Sequence, residues 1–267
     1  MRLSLLSLLL LSLIAAPISS ADDNPADYTA ALIPLVSHGL PGAHGSVWDS
    51  ELHIFNASDQ HLRLLGAMED IQVLPVDLSI GVGPRETRGV VLSPREPGVD
   101  GAFLYVPNTH LGAAKMSLRV RDTSQNATSL GDDVPVVRAE QAAQTLTIFN
   151  VPIDPKYRAT LRIYGFTPAP MPVRVTVYSE DLDTPLSDSV VALHGVLTTV
   201  YVPFPPHPAY AAFDPLTDIV RHGADRSRVR IEISSFVSVI TPPPTPIWAF
   251  VSLTNNETNQ VTIVTPK

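Results

Sequence analysis

Residues 51–65 read ELHIFNASDQHLRLL, and their reading decides the fold. Positions 51–55 alternate polar and apolar, which puts Leu52 and Ile54 on one face and His53 on the other. Asn56-Ala-Ser-Asp59 is turn chemistry, because these side chains hydrogen-bond to nearby backbone. Residues 61–65 then resume an apolar strand pattern. Strand, turn, strand is the prediction, and a helical period is absent.

The same grammar recurs along the chain. Residues 77–82, 89–92, 103–106, 116–121 (MSLRVR), 145–149 (TLTIF), 160–164 (TLRIY) and 173–178 (VRVTVY) read as short strands. So do 189–193, 198–202, 229–233 (VRIEI), 249–253 and 260–264 (QVTIV). Short strands separated by frequent turn signals are the pattern of an all-β sandwich protein. Proline falls mainly between the runs, where a missing ladder donor costs least. One short helix is expected at 214–222, with Asp214 as cap and Pro215 at its first position.

Composition supports a folded, non-basic protein. Of 267 residues, 45% are hydrophobic and 16% charged, enough apolar content for a core. A net charge of -8 argues against a nucleic-acid binder, which needs a basic face. There is no cysteine, so disulfides and thiolate chemistry are excluded.

Residues 1–21, MRLSLLSLLLLSLIAAPISSA, carry Arg2, an apolar run and small residues before Asp22. This is the pattern of a secretory signal peptide, and no later run approaches the length of a membrane-spanning helix. A secreted or periplasmic protein is expected. The excess of Arg over Lys, with Lys only at 115, 156 and 267, together with the absence of disulfides, points to a bacterium. Asn56, Asn126 and Asn256 match glycosylation sequons, read here as turn residues.

A weak internal repeat organises the rest. Residues 51–55 match 160–164, Tyr105-Val-Pro107 matches Tyr201-Val-Pro203, and 116–137 matches 250–264. Two tandem antiparallel sandwiches follow, 22–138 and 139–267, with an inserted loop near 207–228 in the second.

The module opening Gly45-Ser-Val-Trp48-Asp-Ser50-Glu-Leu52-His-Ile54-Phe55-Asn56 and the ending Trp248-Ala-Phe-Val251-Ser-Leu-Thr-Asn-Asn256-Glu-Thr258 carry a resemblance. With them the chain resembles poorly characterised secreted bacterial proteins built from tandem Ig-like β-sandwich modules. The second copy has Tyr157 where the first has Trp48. The resemblance implies an Ig-like fold and no catalytic residue.

Chemistry-bearing motifs are sparse. No zinc-helix spacing, nucleophile elbow, Walker loop or dinucleotide fingerprint occurs. Adjacent acids at Glu69/Asp70 and Asp132/Asp133 sit beside expected turns. The densest acidic group, Glu180, Asp181, Asp183 and Asp188, is either a Ca²⁺ loop or a solvated hairpin. Polyproline stretches at 201–208 and 241–246 are either a stiff crossing between the two sheets of the second sandwich or docking segments with Phe204, Tyr210 and Trp248 as exposed anchors. The expected function is a non-enzymatic structural or interaction protein of the bacterial envelope or extracellular space, binding a protein partner through sandwich surfaces. The alternatives are a glycan- or calcium-binding module, or a hydrolase using Asp214, Asp218, His222 and Asp225.

Overall fold

A computed structural model describes residues 25–41, 45–66, 80–92, 101–124, 131–154, 156–166, 171–180, 183–193, 209–213, 228–236, 245–258 and 260–267. The expected signal peptide, the expected helix at 214–222, the expected strand at 198–202, Asn126 and the 69/70 acids lie outside these residues.

The first half supplies β1 (Tyr28–Ile33), β2 (Leu40–Pro41), β3 (Val47–Asn56), β4 (Leu62–Leu64), β5 (Ile80–Val82), β6 (Thr87–Leu92), β7 (Ala102–Pro107), β8 (Ala114–Asp122), β9 (Asp132–Val134) and β10 (Val137–Arg138). The second supplies β11 (Thr145–Pro152), β12 (Tyr157–Gly165), β13 (Met171–Ser179), β14 (Pro185–Leu193), β15 (Ala209–Phe213), β16 (Arg228–Ser235), β17 (Ile247–Asn255) and β18 (Val261–Val264). No α-helix occurs among the described residues, and every described strand pair is antiparallel.

In the first half, β10-β1-β7 form one sheet. Leu65 and Tyr105 exchange both backbone hydrogen bonds and join the β4–β5 pair to it. The facing sheet places β3 between β8 and the edge segments β2 and β6, with β9 beyond β8. The second half has sheets β11-β16-β13-β14 and β15-β12-β17-β18.

The two halves therefore repeat one strand order. β1-β7-β4-β5 corresponds to β11-β16-β13-β14, and β6-β3-β8-β9 to β15-β12-β17-β18. This order differs from an Ig sandwich, where the first, second, and later D and E strands share a sheet. Here β3 sits beside β8, in the sheet opposite β1 and β7. The 56–60 turn accordingly crosses from one sheet to the other and does not close a hairpin.

Two corrections to the sequence reading follow. The 207–228 segment is not wholly a loop, because Ala209–Phe213 pairs with β12 from Leu161↔Phe213 to Gly165↔Ala209. The strand corresponding to β7 is β16, so the Tyr105-Val-Pro and Tyr201-Val-Pro match does not mark equivalent strands. Residues 201–203 themselves lie outside the described ones.

Alternation builds the cores. Leu52 and Ile54 of β3 face Ala31, Ile33, Leu104 and Val106 of the opposing sheet. Ala159, Leu161 and Ile163 of β12 face Val173, Val175, Val177, Ile231 and Ile233 in the same way. A third cluster uses the opposite faces. Leu32, Phe103 and Val137 pack on Tyr164, Trp248 and Phe250. The β1 sheet and the β12 sheet are thus buried on both faces, and four sheets stack around three apolar layers. This explains the unbroken apolar run Ile247–Val251, since a strand covered on both faces has no solvent side to reserve for polar residues. The Tyr164 hydroxyl donates to the Pro34 carbonyl and ties the halves together.

Asn56 closes β3 from inside. Fully buried, it donates to the carbonyls of Gln60 (2.7 Å), Val82 (3.2 Å) and Gly83 (3.0 Å) and accepts from the Ser58 N–H and hydroxyl. Its amide is consumed by the fold, as the turn reading of this sequon requires.

Candidate functional site

Beyond the aromatic cluster, the outer face of β12 and β17 turns polar. Arg158, Thr160 and Arg162 share that face with Ser252 and Thr254, because Tyr164 and Phe250 hold alternate places on the same strands. These residues floor a groove of about 350 Å³ between the two halves. Val261 and Ile263 of β18 continue the floor. Leu40, Pro41, Trp48, Val120, Asp132 and Val134, all from the β2-β3-β8-β9 sheet, make the wall facing that floor, with Leu35 and Ser37 beside it. Its volume is that of a small-ligand or side-chain pocket, and its mix of apolar surface with a few polar groups fits that use.

The wall after β1 is fixed locally. Ser37 and Ser50 are buried, with their hydroxyls 2.8 Å apart and the Ser37 N–H donating to Ser50 Oγ at 3.1 Å. Gly39 takes φ 61° and donates its N–H to Asp49 Oδ1 at 2.7 Å, while His38 Nδ1 stands 3.2 Å from the same oxygen. That turn delivers Leu40, 49% exposed, to the groove rim. Trp48 donates its indole N–H to Ser46 Oγ at 3.0 Å and packs partly on the first core.

The β9 end of that sheet depends on Gly131, which precedes β9 with φ 68°. A Cβ there would lie 2.4 Å from the Val120 carbonyl oxygen, so no other residue fits without displacement. The next residue, Asp132, points into the groove, and Asp133 points away to Arg119 at 3.1 Å. The sequence-adjacent acids are therefore split between two faces. Burial, with a smaller contribution from Asp133, raises the Asp132 pKa above the ordinary carboxylate value.

The two groove arginines differ. Arg162 donates to Ser252 Oγ at 2.8 Å and lies over the Phe250 ring, 5.8 Å from its centroid. Among the described residues no hydrogen bond or ion pair engages the Arg158 side chain.

The residues singled out in the sequence lie elsewhere or have other partners. Trp248 is only 6% exposed, packed against Tyr164 and Phe250, so it is not an exposed anchor. The stacking of the β1 sheet on the β12 sheet covers it. Tyr210 lies in β15 opposite Tyr164 in register, and Phe204 is outside the described residues. Of the acidic group, Asp183 approaches Arg230 at 3.4 Å and Asp188 approaches Arg174 at 3.5 Å and accepts from the Thr176 hydroxyl. Glu180 is exposed at the end of β13, and Asp181 lies outside the described residues. No group of three or more His, Asp or Glu converges among the described residues. Asp214, Asp218, His222 and Asp225 also lie outside them.

Sequence reasoning passed over Arg158, Arg162 and Asp132 as a set. One signal was present: with Leu161 and Ile163 inward, Arg158, Thr160 and Arg162 must share the outer face. The opposing wall comes from positions more than 20 residues away in sequence, and nothing local announces it. No family model matches this chain, and no curated protein or solved structure is detectably similar to it.

Proposed function

We propose that the chain is an exported, non-enzymatic interaction protein of the bacterial envelope or extracellular space, built as two tandem β-sandwiches. The groove between the halves is its binding face for a protein partner. The observation that carries this reading is the groove itself: a concave, half-apolar surface on a sheet backed by a continuous core. A site on packed strands keeps its geometry without the ordering cost that a loop site incurs on binding. The signal-like residues 1–21 support export. The arginines beside Asp183 and Asp188 favour the solvated-hairpin reading of that acidic segment over a calcium loop.

A glycan in the same groove is the second reading. It is favoured by Trp48, which puts a partly exposed indole in a site that also holds Asp132, Arg158 and Arg162.

Site-specific photo-crosslinking in the source cells tests the proposal. A benzophenone amino acid at Leu40, on the exposed rim of the groove, is expected to trap a discrete envelope protein. The same probe at Val190, 60% exposed on β14 in a different sheet, is expected to trap none. Equal adducts from both positions, or none from Leu40, would remove the groove as the binding face.

A further inference from the structure

We infer that the groove's partner presents an acidic segment in extended conformation, with one carboxylate pairing Arg158 and a neighbouring apolar side chain seated between Trp48 and Ile263. This rests on the reading of the groove as the binding face and adds the chemistry of what it binds.

Charge complementarity is the first support. Arg158 lines a half-apolar groove, and its side chain engages no partner there among the described residues. A planar fork of donors in such a place matches a carboxylate in two parallel hydrogen bonds. Arg162 is already oriented by Ser252 and Phe250, so a ligand carboxylate beside it meets a fixed cation rather than a mobile one.

Spacing is the second support. Arg158 and Arg162 lie four residues apart on one strand face, about 13 Å along it. An extended ligand repeats its side chains on one side with the same period. Acids at positions i and i+4 of such a segment then meet both arginines at once, with Thr160 between them. Asp132 on the facing wall accepts from a ligand N–H and disfavours acids placed on the ligand's other side.

The test pans a displayed library of random octapeptides against the full chain. Enrichment of sequences with two acids four apart is expected. Arg158→Gln is expected to weaken a selected peptide about tenfold or more while leaving the melting temperature unchanged, since Arg158 has no partner to lose. Thr254→Trp, which fills the groove, is expected to abolish binding. Peptides without acidic enrichment, or peptides indifferent to Arg158→Gln, would overturn the acidic-segment proposal. If Thr254→Trp still abolished them, the groove would stand as the binding face. Peptides indifferent to Thr254→Trp would overturn both. A neutral glycan on an array, bound only when Thr254 is intact and with no peptide enriched, would overturn the peptide proposal and give the groove to a sugar.

Discussion

Phe250→Ala is the sharpest probe of the stacked architecture. Phe250 is fully buried in the layer between the halves, its ring stacked on Tyr164 at 6.2 Å and tilted against Trp248 at 5.5 Å. Removing the ring loses a transfer term of about 2–3 kcal/mol. It also leaves a cavity of roughly 100 Å³, worth about 2 kcal/mol more where neighbours cannot collapse. They cannot collapse here, because β17 is pinned by β12 on one side and β18 on the other. The expected loss is about 4–5 kcal/mol, a large part of the usual stability of a folded domain. Equilibrium urea denaturation reads it, with the two tryptophans as separate reporters: Trp248 inside the layer and Trp48 at the groove. Phe149→Ala, at a ring 39% exposed, is the control and should cost under about 1 kcal/mol. Comparable costs for the two substitutions would refute burial of the β12 sheet on both faces. Two well-separated transitions for the unmodified chain, one per tryptophan, would refute the coupling of the halves through that layer.

Three further outcomes are expected. Asp132→Asn should raise the melting temperature at pH 7: the folded-state pKa of Asp132 lies above the unfolded value, so its charged form is the disfavoured one in the fold. The gain should vanish as pH falls through the raised pKa toward 3.8, and a gain that persisted in acid would contradict it. Gly131→Ala should destabilise by about 1–3 kcal/mol in thermal denaturation and weaken any groove ligand, because the Val120 carbonyl blocks the new Cβ. Asn56→Ala should cost about 2–4 kcal/mol by urea titration, leaving buried carbonyls without a donor, whereas a cost under 1 kcal/mol would mean that water replaces the amide.

The legible part of the fold was whatever period-two alternation encodes. Leu52 with Ile54, Leu161 with Ile163, and Val173 with Val175 and Val177 all announce strands with one face inward, and the strands formed there. Pairing was less legible. Nothing between residues 56 and 60 says whether the chain turns back within a sheet or crosses to another. β15 was hidden because AYAAF has no alternation and sits among prolines. Trp248 shows how a correct local fact misleads: a proline-flanked aromatic looks like an anchor, and only the covering β1 sheet makes it core. The groove was least legible, since Arg158 and Asp132 meet only after both sandwiches and the layer between them have formed.

The contact between the halves joins unlike surfaces: the β1-type sheet of the first copy meets the β12-type sheet of the second. Such head-to-tail contact has no intrinsic stopping point, and a third copy of the same design would extend the pile. The two outer faces of the described stack are composed differently from that seam. The outer side of β3 and β8 presents Asp49, Glu51, His53, Lys115 and Arg119, and the outer side of β13 and β16 presents Arg174, Thr176, Arg230 and Glu232. Each outer face sets charged side chains around isolated apolar ones, Phe55 and Val91 on one and Val190 on the other, in place of the aromatic set at the seam. Placing the aromatic set found at the seam on both outer faces would give each molecule a surface on which the next could stack.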